Sequence, residues 1–252
     1  MTVSRRLIAA ALLAATPLAI VHAAPARIAA AVASPDRPDA ARKLDEGRRP
    51  AEILSFLGLE AGDRVLDVMA GNGYYSELMA KAVGPKGSVV ALEPPVFLDD
   101  KGEAAWVELR TRAPNVSVLK QMPGAMTLAP ASFDFALLHL VYHDFYWESE
   151  KYKFPRMDPD AALRKLLAAM KPGGVVGVID HVAKPGDTRQ AADRLHRIDP
   201  ATIKADFARA GFVLEAESDL LRVPGDDASK LVFDPAVRGS TDRVVYRFRK
   251  PA

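Results

Sequence analysis

The sequence contains no cysteine, so it has no disulfide, no thiolate nucleophile and no cysteine-ligated metal site, and it suits any redox compartment. It also lacks an excess of either charge: 34 Lys and Arg stand against 32 Asp and Glu, a formal charge of +2. Nucleic-acid binders normally carry a basic stripe, so no nucleic-acid partner is expected. An apolar run of the roughly 20 residues needed to span a bilayer is missing too. The longest, Leu7 to Ile20, is short and rich in alanine. What remains is ordinary for a packed domain: 49% hydrophobic and 26% charged residues exclude disordered, collagen-like and coiled-coil classes. A chain of 252 residues can bury one sizeable α/β core.

Arg5 and Arg6 precede the Leu7–Ile20 stretch, and Val21-His22-Ala23 follows it as a small-x-small cleavage site. Residues 1–23 are therefore expected to be a signal peptide, and the mature protein to be periplasmic or secreted, with no stable membrane insertion after processing. A retained N-terminal anchor is the alternative. Ser4-Arg5-Arg6-Leu7-Ile8 also fits the start of a twin-arginine signal, which exports proteins already folded. Cleavage after Ala23 removes two arginines and no acid, which brings the formal charge to zero. Residues 24–48 are rich in Ala, Pro, Arg and Asp without a sustained apolar period and read as a linker or N-terminal arm, and 49–252 as the folded domain.

Within that domain apolar runs alternate with helical segments. Arg64 to Met69, Ser88 to Glu93, Val116 to Leu119, Phe133 to His139, Val175 to Asp180, Phe212 to Glu217 and Arg243 to Phe248 read as strands. Tyr74 to Val83, Glu103 to Arg112, Pro159 to Met170 and Pro200 to Ala210 read as helices between them, and another is expected from Pro50. Asp158-Pro159 and Asp199-Pro200 each place a capping acid before a proline suited to the first helical position. The alternation predicts seven strands, mostly parallel, with helices on both faces. The long helix-free stretch from Leu221 to Asp242 predicts that the last strand enters antiparallel. The same stretch is long enough to suspect a lid.

The chemistry concentrates where Val65-Leu66-Asp67-Val68 runs into Met69-Ala70-Gly71-Asn72-Gly73 and a helix opens at Tyr74. Such a turn brings backbone close to a ligand and points helix N-terminal amides at it. The second strand, Val89 to Glu93, ends in an acid placed to accept ribose hydroxyl protons. Together they point to a ligand containing adenosine.

From about Pro50 to Lys250 the chain resembles the class I S-adenosylmethionine-dependent methyltransferases. Asp67 to Gly73 is similar to their first motif, Glu93 to their ribose acid, Phe133-Asp134-Phe135-Ala136 to their fourth strand, and Met170-Lys171-Pro172-Gly173-Gly174 to the turn before their fifth. More narrowly, Asp180-His181, Leu195 to Pro200 and Phe233-Asp234-Pro235 resemble a group of exported predicted methyltransferases. The resemblance implies a Rossmann-like α/β fold, S-adenosylmethionine as cofactor and a small-molecule methyl acceptor. It implies a cofactor site lined by Asp67, Gly71, Gly73 and Glu93, with Ala125 where an acid commonly meets the adenine. Met69 stands where the motif usually begins with glycine.

Acceptor-side residues in such proteins follow the fourth strand, where this chain has His139, Tyr142, His143, Asp144, Tyr146 and Trp147. His143 is the favoured general base or acceptor-orienting group, with Tyr142 and Asp144 as neighbours and His181 as second choice. His196 and Arg197 could reach over the site, whereas Asp199 reads as a helix cap. His139, His143, Asp144, Asp180 and His181 could share an ion, but their spacing does not enforce it, and no metal is expected. Two other functions compete: a non-catalytic protein that binds S-adenosylmethionine or a nucleoside, and a nicotinamide-dependent oxidoreductase. The second would want a fuller G-x-G-x-x-G turn than this chain has.

Overall fold

The computed structural model describes residues 23–252; the expected signal peptide lies, but for its last residue, outside them. The chain orders as α1 (Ala23–Val32), α2 (Asp39–Arg42), α3 (Asp45–Arg48), α4 (Pro50–Leu57), β1 (Arg64–Val68), α5 (Tyr74–Val83), β2 (Ser88–Glu93), α6 (Asp100–Arg112), β3 (Val116–Lys120), β4 (Phe133–His139), α7 (Pro159–Ala169), β5 (Met170–His181), α8 (Thr188–Leu195), α9 (Pro200–Ala210), β6 (Val213–Ser218) and β7 (Arg243–Arg249). The strands form one sheet in the order β3-β2-β1-β4-β5-β7-β6. The first five are parallel, and β7 enters antiparallel between β5 and β6, as expected.

Strand alternation fills two cores. Leu66, Val68, Ala136, Leu138, Val176 and Val178 face α7 and α9 through Leu163, Leu166, Ile203 and Phe207. Val65, Phe135, Leu137, Val175 and Ile179 face α1, α4, α5 and α6 through Ile28, Leu54, Leu78 and Trp106. A sheet buried on both faces explains why these strands read as nearly continuous apolar runs. Asp158 and Asp199 accept from amides of the first turns of α7 and α9, so both are caps.

Residues 24–48, which lack an apolar period, fold as three short helices laid against α4 and α5. Burial of Ile28 and Ala31 anchors the first of them. Arg37, which is buried, then forks onto Asp45 at 2.8 Å twice, and Asp45 also accepts from the Tyr74 hydroxyl at 2.6 Å. The two helices of four residues, tied down by the Arg37–Asp45 pair, are too short to show a 3.6-residue apolar pattern. The eight-residue α8 was not among the expected helices because Ala192 is its sole buried residue, which leaves no apolar stripe to read; Asp187 caps it. Among the described residues no helix is long and apolar enough to cross a membrane.

The parallel register matters for function. Val65 pairs with Val89 and Phe135, and His139 with Ile179, so β1, β2, β4 and β5 end at one edge. Met69, Glu93, Leu140 and His181 therefore come together at the carboxyl edge, where open α/β sheets bind ligands.

Candidate active site

Three connected cavities open along that edge. The first, about 300 Å³, is walled by Met69, Gly71, Asn72, Glu93, Phe97, Leu98, Trp106, Val141 and Asp144. The second, about 580 Å³, shares Phe97 and Asp144 with it and adds His143, Trp147, His181, His196 and Phe233. The third, about 640 Å³, shares His181 and Phe233 with the second and continues past Lys43, Arg48, Arg238 and Arg243. Non-glycine residues in the left-handed region gather here: Met69 at φ 54°, Leu140 at 60° and His196 at 49°. Such backbone costs of order 1 kcal/mol per residue and clusters at ligand sites.

In the first cavity Gly71 has φ 58° and open space where a Cβ would lie. Its amide donates to the Glu93 carboxylate at 2.8 Å. Glu93 is buried, and that desolvation pushes its carboxyl up to about 8 against the opposing Gly71 bond. A buried carboxylate with one donor has lone pairs left for hydroxyl donors. Because the folded value lies above the usual carboxylate range, Glu93 stabilises the fold fully below pH 4.5, and this contribution is lost as pH rises towards 8. Glu93→Gln escapes that loss, so its melting temperature should gain on the wild type between pH 5 and pH 9. A constant difference across that range would contradict the assignment.

Three expected cofactor residues sit elsewhere. Asp67 is buried behind the turn, where its carboxylate accepts from the Ser76 hydroxyl at 2.6 Å and burial raises it to about 7. Ala125 is exposed on the turn after β3 and does not reach the cavity wall. Gly73 is covered by α6: a Cβ there would lie 2.4 Å from Leu109 Cδ1 and 2.9 Å from the Trp106 ring, at φ 72°. Gly73 thus lets Trp106 close the cavity rather than touching a ligand itself. Gly73→Ala should cost about 1–3 kcal/mol in denaturant unfolding, as overpacking does, and should weaken nucleoside binding by displacing Trp106. Tyr74 and Tyr75, which open α5, pack into the arm and the core instead of over the cavity.

At the second cavity the structure brings His143, Asp144 and His181 together and removes Tyr142. The chain leaves β4 in a 3-10 turn, His143–Phe145, so Tyr142 and His143 point apart. Tyr142 is fully buried against Phe145 and Phe207, with its hydroxyl donating to Asp206 at 2.7 Å. His143 instead sits at the cavity floor. Its backbone amide and Nδ1 each lie 2.8 Å from an oxygen of Asp180, which is wholly buried. Its Nε2 faces Asp144 Oδ1 and His196 Nδ1, both at 3.3 Å. Burial opposes the imidazolium, but Asp180 and Asp144 outweigh it and push His143 up to about 9. Held in this way, His143 suits orientation better than proton abstraction near neutral pH.

His181 lines the second and third cavities, with Nδ1 2.7 Å from the Thr241 hydroxyl, and burial pushes it down to about 3, hence neutral. His139 is turned inward beneath Tyr75 and kept neutral by burial. His196 reaches the site and Arg197 does not, since the latter points inward to Asp226. The 221–242 segment supplies the outer wall through Leu231, Val232 and Phe233.

Sequence spacing did not reveal Phe97, Leu98 and Trp106 as wall residues. The signal was the pair Trp106 and Leu109 in an otherwise polar α6, the buried stripe that faces Gly73.

The sheet order is that of the class I S-adenosylmethionine-dependent methyltransferase fold, and solved structures agree. A SAM-dependent methyltransferase from Aquifex aeolicus superposes with a TM-score of 0.57 at 22% identity, over 84% of this chain and 98% of that one. One from Mesorhizobium loti gives 0.57 at 17%, over 82% and 100%. The cyclase SpnF gives 0.54 at 18%, over 92% and 94%. In sequence, residues 32–121 match the family model of protein-L-isoaspartate (D-aspartate) O-methyltransferase. A protein-L-isoaspartate O-methyltransferase from Methanococcus aeolicus is 36% identical over 59 residues, 23% of this chain. The match spans about a quarter (27%) of that relative's length.

Proposed function

We propose that the protein binds S-adenosylmethionine in the Gly71–Glu93 cavity and transfers its methyl group to a small molecule held in the adjoining cavity. The observation that carries this reading is the shared wall: Phe97 and Asp144 border both spaces, so two ligands would meet there. The chain's own residues fit the cofactor. Glu93 keeps lone pairs free for ribose hydroxyls, Gly71 offers backbone without a Cβ, and Trp106, Phe97 and Leu98 supply apolar walls for a base. When bound, the cofactor supplies an electrophilic methyl group that moves in line to a nucleophile, so the protein's part is largely positioning. His143, fixed by Asp180, would orient the acceptor, and Trp147, Phe233 and Tyr152 would exclude water from it.

The match to residues 32–121 supports the cofactor half, because that span holds the glycine turn and Glu93. The acceptor half lies beyond it, so the relatives' substrate does not transfer. A reading other than methyl transfer has its own support in Met69, which stands in the cavity wall where glycine is usual, and in a cyclase built on the same fold. The export reading rests on Arg5, Arg6 and the Leu7–Ile20 stretch, and amino-terminal sequencing of the native protein should begin at Ala24. The functional proposal is tested by thermal unfolding with candidate ligands, because a ligand that binds only the native state stabilises it. S-adenosylmethionine and S-adenosylhomocysteine should raise the melting temperature, and nicotinamide dinucleotides should not. The reverse pattern would replace a methyltransferase with an oxidoreductase.

A further inference from the structure

The floor of the second cavity brings three potential ligand atoms within reach of one another. His143 Nε2 lies 3.3 Å from His196 Nδ1 and 3.3 Å from Asp144 Oδ1, and the last two are 3.6 Å apart. N–H···O hydrogen bonds cluster at about 2.9–3.0 Å, so the two contacts to Asp144 are long for such bonds. Tetrahedral zinc with bonds of about 2.0–2.1 Å holds its ligands about 3.3–3.4 Å apart. We propose that His143, Asp144 and His196 form a binding site for a zinc-class divalent cation, with the fourth coordination position open to the acceptor cavity.

The surroundings support this independently of the spacing. Asp180 accepts from His143 Nδ1 at 2.8 Å, which holds the ring with Nε2 toward the other two ligands, so that a cation displacing the Nε2 proton meets an aligned nitrogen. A buried carboxylate behind a histidine ligand is the usual support of a metal site. Asp180 also accepts from the amides of His143 and His181, so it cannot swing away. His196 reaches the cluster only through its left-handed backbone at the end of α8, and Trp147 and Phe233 flank its ring. Asp144 and Asp180 place two carboxylates around His143, which suits a divalent charge. A cation there would lower the pKa of a coordinated hydroxyl or thiol, so that its proton passes to solvent and the anion faces the cofactor cavity. The cluster shares only Asp144 with the Gly71–Glu93 cavity and metal binding is read without the cofactor, so this inference stands or falls apart from the cofactor reading.

The test is metal titration of the untagged, chelator-stripped protein with zinc by calorimetry, and with cobalt by visible absorption. Background binding is low, because the chain has five histidines and no cysteine. One equivalent should bind with micromolar or tighter affinity, and cobalt should give tetrahedral absorption. His196→Asn, which keeps a residue tolerant of the left-handed backbone, and Asp144→Asn should each weaken binding at least about tenfold while the metal-free melting temperature holds within a few degrees. Asp180→Asn should weaken it about 10–100-fold, as loss of a supporting carboxylate does. Binding well below one equivalent, or affinity unchanged in both His196→Asn and Asp144→Asn, would overturn the site.

Discussion

Arg197→Ala should cost about 3–5 kcal/mol of stability, the range for breaking a buried ion pair on one side. Arg197 is fully buried, and its guanidinium donates to both oxygens of Asp226, at 2.6 and 3.1 Å, to the Lys230 carbonyl at 2.9 Å and to the Val182 carbonyl at 3.1 Å. These bonds tie the end of β5 to the segment 221–242. Asp226 is equally buried, and its remaining donor is the Asp242 amide at 2.8 Å. Truncating Arg197 therefore strands a carboxylate and frees the segment whose Leu231, Val232 and Phe233 wall the second cavity. Asp226→Asn on the Arg197→Ala background removes that stranded charge and should recover part of the loss. Denaturant unfolding checks both variants, and a loss under 1 kcal/mol for Arg197→Ala would contradict the clamp. This geometry makes 221–242 a fastened wall rather than a free lid.

The second large effect concerns Glu93. If its carboxylate, ionised at about pH 9, accepts both ribose hydroxyls, Glu93→Ala at that pH removes two hydrogen bonds to a charged group, each worth about 1.5–3 kcal/mol. Affinity for S-adenosylhomocysteine should then fall a hundredfold or more. The fold should survive, since Glu93 ends β2 and spends one bond on the Gly71 amide. Trp106 offers an internal comparison: it also walls the cavity, but it packs on Gly73, so its loss should affect stability and binding together.

The sheet was legible because strands buried on both faces must be apolar throughout, and because Asp-Pro caps and the Gly211 stop bound the helices that cover it. Gly71 and Glu93 were legible for a related reason: a close backbone approach and a distal acid are local features of two consecutive strands. The acceptor side was legible only as a set of residue types. His143 and Asp180 meet across 37 residues because the β4–β5 register aligns His139 with Ile179. No local spacing encodes that meeting. His196 arrives through the pairing of Val182 with Ile198 and its own left-handed backbone, whereas its neighbour Arg197 turns into the interior. Tyr142 misled because the strand's two-residue alternation ends at His139, and the turn at His143–Phe145 sends Tyr142 into the core and His143 to the cavity. Gly73 misled in another way, since its missing Cβ makes room for Trp106 and Leu109 instead of a ligand.

The cofactor assignment is tested most directly by calorimetric titration of the protein with S-adenosylmethionine and S-adenosylhomocysteine, run in parallel on Glu93→Ala. The account predicts one site per chain with micromolar binding, lost or weakened at least a hundredfold in the variant. A folded wild-type protein that binds neither ligand, or a variant that binds as well as the wild type, would contradict it.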